Sequence, residues 1–173
     1  MPFKAGLNQK ILKRLLEQLF EMLDRYSKVL VVRFELNFYD NQSNNKTISK
    51  FRTNLTKKLK KKYGEDIGYI WVREQATRVH YHLAFFLNGH KAHKSFGISE
   101  LVQRVCFSLP DLSPYFPDNN TYMLKRQKPE TMTAAIFRLS YLAKNETKET
   151  RERGKINYQT SRLQHKKSYI RNS

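Results

Sequence analysis

The sequence predicts an α+β fold in which an antiparallel sheet of about four to five strands carries helices packed on one face. Three observations lead there. Apolar residues recur at helical spacing in three long stretches, 8–26, 46–63 and 129–146. Between them lie short β-branched and aromatic runs. Two of those runs stand so close together that only a hairpin joins them.

The elements follow in order. "NQKILKRLLEQLFEMLDRY" (8–26) sets Ile11, Leu15, Leu19 and Leu23 on one helical stripe, with Asn8 as the N-cap. In "KVLVVRFELNFY" (28–39), Arg33, Glu35 and Asn37 alternate with Val32, Phe34, Leu36 and Phe38, which gives a strand with one polar and one apolar face. "DNQSNN" is a loop, and 46–63 is a second helix. "DIGYIWVREQ" (66–75) and "RVHYHLAFFL" (78–87) are the hairpin. A short helix covers 98–109, a Pro-marked loop covers 112–120, and "TYMLKRQ" (121–127) reads as an edge strand. "PETMTAAIFRLSYLAKNE" (129–146) opens on a proline suited to a first helical turn. The remainder, about 147–173, reads as a basic tail with a short strand near "INYQTS". All 173 residues then form one domain.

Composition narrows the function. Lys and Arg number 33 against 15 Asp and Glu, a formal charge of +18. Such self-repulsion calls for a polyanionic partner, and an aromatic content of 13% marks a folded nucleic-acid binder rather than a disordered basic arm. The single cysteine, Cys106, excludes an intrachain disulfide framework or a Cys-based zinc site. The N-terminus carries no apolar signal core and no stretch approaches a membrane span. The expectation is a cytoplasmic protein with no membrane role.

His80 and His82 stand two residues apart on one side of a strand, about 7 Å apart along it. Neutral imidazoles so placed reach one divalent ion, and phosphate chemistry adds an oxygen ligand and favours Mg²⁺ or Mn²⁺. Hairpin parity selects the oxygen. A three-residue loop (76–78) sets Glu74 opposite His80, whereas a two-residue loop would set Gln75 there and turn Glu74 into the core, a costly place for an unpaired carboxylate. Glu74 is the favoured ligand, with Gln75 and Glu35 as alternatives. His90 and His93, in a loop of Gly, Lys and Asn, read as exposed or phosphate-contacting.

A metal that polarises a phosphodiester leaves the nucleophile open: water or a side chain. On a helix, Tyr141 shares a face with Lys144 and Arg138, and a lysine beside a phenol lowers its pKa or neutralises charge on the attacked phosphate. Tyr115, Tyr122 and Tyr158 are the rival phenols.

The motifs in series resemble a known family. "HYH" on a strand is similar to the His-hydrophobic-His pattern of HUH endonucleases, and "YLAK" to their Tyr-x-x-Lys nucleophile helix. "WVREQ…HYHLAFFLNG…YLAK" resembles more narrowly the inovirus-type, YagK/YfjJ-like replication proteins of phages and integrated elements in bacteria, over roughly residues 28–165. The resemblance implies an RRM-like antiparallel sheet, with His80, His82 and Glu74 on Mg²⁺ or Mn²⁺. It implies that Tyr141 attacks a DNA phosphate, keeps a 5′-phosphotyrosine and leaves a 3′-OH to prime rolling-circle replication, with Lys144 assisting. The partners would be single-stranded DNA or an origin hairpin in a bacterial host cell. No Walker-type loop is present, so a host helicase would unwind. The ending "RGKINYQTSR" would pack on the domain.

Two further sets bear on DNA. From Lys50 to Lys62 the second helix carries many basic residues and no acid, and Lys57, Lys58 and Lys61 lie outside its Leu55–Leu59 stripe, free to meet phosphates. Arg33 and Asn37 share the polar face of their strand, where they could grip the scissile strand. Phe86 reads first as core and second as a platform for unpaired bases. The competing function is a non-catalytic nucleic-acid binder on the same scaffold; a third is a nuclease that uses water.

Overall fold

The structure is a computed structural model, and it describes residues 6–39, 45–75, 78–109, 111–145 and 156–163. Its elements run α1 (Gln9–Arg25), β1 (Lys28–Phe38), α2 (Asn45–Tyr63), β2 (Gly68–Gln75), β3 (Val79–Asn88), α3 (Phe96–Phe107), β4 (Leu112–Tyr115), β5 (Thr121–Lys125), α4 (Glu130–Ser140) and β6 (Tyr158–Thr160). A 3-10 turn, Tyr141–Ala143, continues α4. The expected fold class, α+β with an antiparallel sheet, is the one observed. Among the described residues no helix is long and apolar enough to cross a membrane.

The sheet has six strands in the order β4-β1-β3-β2-β6, with β5 pairing the other half of the β1 edge. Every pairing is antiparallel. From β1 to β4 the chain runs β-α-β-β-α-β, so β1 and β2 flank β3 instead of each other. Within 112–120, expected as loop, Leu112–Tyr115 pairs with β1. Pro114 is tolerated there because β4 is an edge strand, where a missing N–H costs no ladder bond.

Helices cover both faces of the sheet, which corrects the expectation of one covered face. On one side α2 and α3 bury Phe51, Leu55, Val102 and Val105 against Val32, Phe34, Leu36, Trp71, Tyr81, Leu83 and Phe85. On the other, α1 and α4 bury Leu15, Leu19, Met22 and Leu139 against Val29, Val31, Ile70, Val72, Ala84 and Phe86. Phe86 is therefore core, not a base-stacking platform.

The second layer covers only one end of its face. Following β1 from Val29 toward Asn37, the residues on that face change from Val29 and Val31 to Arg33, Glu35 and Asn37. On β3 they change from Phe86 and Ala84 to His82 and His80, and on β2 from Ile70 and Val72 to Glu74. Beyond the end of α1 the face becomes polar on all three central strands together.

The turn after α4 is tied to the start of α1 by backbone. Asn8 N–H donates to the Ala143 carbonyl at 2.6 Å, and Asn145 N–H to that of Gly6 at 3.1 Å. Leu7 and Lys144 form an antiparallel bridge between them. Asn8 also caps α1, its Oδ1 accepting from Ile11 N–H at 3.2 Å. Of the expected tail, Tyr158–Thr160 forms β6 on the β2 edge, as the short strand near "INYQTS" anticipated. The rest of 147–173, apart from 156–163, lies outside the described residues.

Candidate metal centre

Cross-strand register builds the centre. β2 pairs β3 with Gln75 opposite Val79 and Glu74 opposite His80, the arrangement of the three-residue connection. β1 pairs the other edge of β3 with Glu35 opposite His82 and Asn37 opposite His80. Directly opposed residues project to the same face, so four potential ligands meet at the polar end of the sheet. Gln75 points to the other face and is removed from the ligand alternatives by parity.

Glu74, His80 and His82 converge with one ligand atom each, all within 4.8 Å of one another. His82 Nε2 lies 2.7 Å from Glu74 Oε2 and 3.2 Å from His80 Nε2. His80 Nε2 is 4.0 Å from the same carboxylate oxygen. The two Nδ1 atoms are engaged elsewhere. His80 Nδ1 donates to the Arg78 carbonyl at 3.2 Å, and His82 Nδ1 sits 3.1 Å from Glu35 Oε1. An acceptor on Nδ1 places the ring proton there and leaves Nε2 as the donor atom to a metal. Two imidazole nitrogens, one carboxylate oxygen and anchored ring orientations thus make a donor set that fits a divalent cation. Glu35, weighed above as an alternative ligand, stands behind His82 as the group that orients it.

The electrostatics agree with this division. Burial opposes charge on His82, yet its hydrogen bonds to Glu35 and Glu74 outweigh burial and raise its pKa. Burial likewise opposes charge on Glu35, but the His82 hydrogen bond, with His80 and Arg33 nearby, pulls its pKa down. Glu74 is only 2% exposed. Its second oxygen, Oε1, receives Lys144 Nζ at 3.2 Å.

That ion pair brings the sequence-predicted lysine to the centre, though by a different contact from the one expected. Lys144 reaches the Glu74 carboxylate instead of lying only beside the phenol. Tyr141 is not on regular α-helix either: α4 ends at Ser140, and Tyr141 opens the 3-10 turn, half-buried with its ring edge-on to Phe137 at 5.6 Å. Lys144 caps that turn in extended conformation and its N–H donates to the Tyr141 carbonyl at 3.3 Å, so the two stay neighbours.

Arg33 lies on the same face of β1 as Glu35, the group that orients His82. It is buried, 9% exposed, contrary to a simple solvent-facing grip. Burial lowers its pKa, and the nearby Arg138 adds to this, while Glu35, Tyr122 and Tyr141 pull the other way. Tyr122, one of the rival phenols, and Arg138, set on the Tyr141 face by helical spacing, are therefore members of these surroundings. The register places Tyr122 opposite Val31, on the same face as Arg33. Tyr115 opposes Glu35 and Tyr158 opposes Val72, so three of the rival phenols share this face.

The other expected DNA contacts are dispersed. Asn37 is exposed beside the triad. Lys57, Lys58 and Lys61 are exposed on α2, which packs on the opposite face of the sheet, so the structure does not bring them to His80 and His82. His93 is exposed, and His90 Nε2 meets Ser27 Oγ at 2.9 Å; neither approaches the triad through a described contact.

No curated protein and no solved structure matches the chain. A family model does, over a span that takes in both helical layers, the triad and the Tyr141–Lys144 turn. Since the model of the YagK/YfjJ C-terminal domain matches residues 1–158, the chain belongs to that family.

Proposed function

We propose that the protein is a divalent-cation-dependent endonuclease of the HUH type, built on an RRM-like sheet, that nicks and rejoins single-stranded DNA through Tyr141. The observation that carries this reading is the Glu74 carboxylate, divided between the His82 imidazole at 2.7 Å and Lys144 at 3.2 Å. It couples a metal-type donor set to the turn that bears the phenol. The β-α-β-β-α-β order and the charge of +18 support the scaffold and the polyanionic substrate.

A bound Mg²⁺ or Mn²⁺ would polarise the scissile phosphodiester and offset its developing charge. The chain's own residues do the rest. The Tyr141 phenol gives up its proton and its oxygen bonds to phosphorus; the P–O3′ bond breaks, and the departing 3′ oxygen takes a proton. The products are a 5′-phosphotyrosine and a free 3′-OH, and the reverse step rejoins. Lys144 holds Glu74 in place and sets positive charge beside the reacting phosphate. A rolling-circle replication initiator of a phage or mobile element in a bacterial cytoplasm would use these products, with a host helicase opening the duplex.

The test is incubation with single-stranded origin DNA and Mn²⁺, followed by a denaturing gel. The expected result is a covalent protein–DNA adduct that Tyr141→Phe abolishes. An adduct that survives Tyr141→Phe and disappears in Tyr122→Phe moves the nucleophile to β5. Cleavage without any adduct identifies a nuclease that uses water, and binding without cleavage under every metal identifies a non-catalytic binder.

A further inference from the structure

The second site lies at the far end of β2 from the triad. A cleft of about 690 Å³ opens where the sheet edge, the end of α1 and the outer flank of α2 meet. Arg52, Thr56 and Lys60 line it from α2, spaced four residues apart on one stripe beside the buried one. Arg25 lines it from α1, Tyr69 from β2, and Arg162 from the end of β6.

The cations of this cleft differ in their commitments. Arg25 is held by Asp66 at 3.1 Å and Lys60 by Glu65 at 3.4 Å. Arg52 instead lies over the Tyr69 ring, 5.5 Å from its centroid, and no described carboxylate pairs with it. Arg162 is exposed and likewise has no described carboxylate partner. Burial raises the Tyr69 phenol's pKa, while the positive charges of Arg52 and Arg162 both oppose that rise. Arg52 Nε and Thr56 Oγ1 are shielded from solvent and have no hydrogen-bond partner among the described residues. The lining therefore presents two uncommitted guanidinium groups, a hydroxyl and a phenol, and its two carboxylates are already engaged. Planar guanidinium pairs flanked by hydroxyl donors recognise phosphate oxygens.

We infer that this cleft is a phosphate-binding site, with Arg52, Arg162 and Thr56 as its ligands, that holds a phosphate of a single-stranded polynucleotide away from the triad. Tyr69 and Glu74 are about 17 Å apart along β2 and project to opposite faces of the sheet, so the cleft and the triad are separate places. The inference goes beyond the nicking reading and stands independently of it, since a non-catalytic binder would use the cleft equally. It also locates DNA contact on the Arg52–Lys60 stripe of α2 instead of at Lys57, Lys58 and Lys61. The β6 side of the cleft lies beyond the span matched by the family model.

The test is fluorescence anisotropy of a labelled oligothymidylate across a salt series, comparing the full chain with Arg162→Gln and with Arg52→Gln/Arg162→Gln. Arg162→Gln should bind about tenfold more weakly and the double variant about a hundredfold or worse, since each charge-assisted contact is worth roughly a factor of ten. The double variant's salt slope should fall by about 0.7, the value for one phosphate on single strands. Arg52→Lys should keep most of the slope. Emission of the one tryptophan, Trp71, whose indole bonds Gln159 at 3.2 Å, checks that each variant is folded. Inorganic phosphate and thymidine monophosphate as competitors separate a free-phosphate site from one that needs the polymer, and either result supports a phosphate site. A folded Arg162→Gln and a folded double variant with unchanged affinity and slope would overturn it. Mn²⁺ binding at the triad, read in parallel, should be unchanged in both.

Discussion

Lys144 Nζ stands 3.2 Å from Glu74 Oε1, and the other oxygen of that carboxylate faces the two imidazoles. The last residue of the YLAK turn and the last but one of β2 thus share a buried charge. Removing the ammonium leaves the carboxylate with His82 but without its lysine partner. Lys144→Ala is expected to destabilise the metal-free protein by about 1–2 kcal/mol, less than for a fully buried pair because Lys144 remains partly exposed. Urea denaturation measures the loss, and added Mn²⁺ should recover part of it by giving the carboxylate another cation.

Metal affinity should follow the donor set. Glu74→Ala, His80→Ala and His82→Ala each remove a ligand and should abolish Mn²⁺ binding at micromolar concentrations, as seen by loss of the free-ion electron paramagnetic resonance signal only with the parent chain. Glu35→Gln leaves all three ligands but weakens the anchor on His82 Nδ1, so a drop of roughly 10–100-fold is expected. Mn²⁺ should bind more tightly than Mg²⁺, because two of the three donors are imidazoles. Equal loss in Glu35→Gln and Glu74→Ala would place Glu35 among the ligands.

The pH dependence of stability should reverse when metal is added. The His82 pKa is raised in the folded chain. In metal-free protein its contribution is fully present below the unfolded value of about 6.5 and is lost as pH rises through the folded value. Metal needs the neutral ring, so Mn²⁺ affinity should grow over that same rise. Glu35, with its pKa lowered, adds a contribution present above its unfolded value and lost only as pH falls through the folded one. Thermal melts from acidic to mildly alkaline pH, with and without Mn²⁺, should diverge as pH increases; parallel curves would remove His82 from the centre.

The aromatic core should be sensitive and the helix tips should not. Phe85 is fully buried, stacked on Phe34 at 5.8 Å and tilted against Tyr69 at the same distance. Phe85→Ala should cost about 3–5 kcal/mol. Phe107, 92% exposed at the end of α3, should tolerate Ser within about 0.5 kcal/mol. Both are read by chemical denaturation.

Much of the fold was legible because strand parity is a strict rule. The alternation in β1 and β3 and the short connection after Gln75 were enough to set Glu74 opposite His80. The second helical layer was missed because Arg33, Glu35 and Asn37 looked like one open face. The contrary signal was present in Val29, Val31, Ile70, Val72, Ala84 and Phe86, apolar residues of the same parity at the other end. A face that changes character along its length is a face half covered. Helical periodicity told which residues of α2 are buried and that Lys57, Lys58 and Lys61 are exposed, but not which side of the sheet receives the helix. β4 escaped because Pro114 reads as loop until its strand is known to be an edge.

The short connection between Gln75 and Val79 carries one more consequence. Surface turns are ordinarily where a chain absorbs gained or lost residues with least harm. Here the turn length is what keeps a carboxylate on the imidazole side of the sheet, since slipping β2 by a single position inverts every side chain on it. In a library of insertions and deletions this turn should be among the least forgiving loops for metal loading, even in members that still fold.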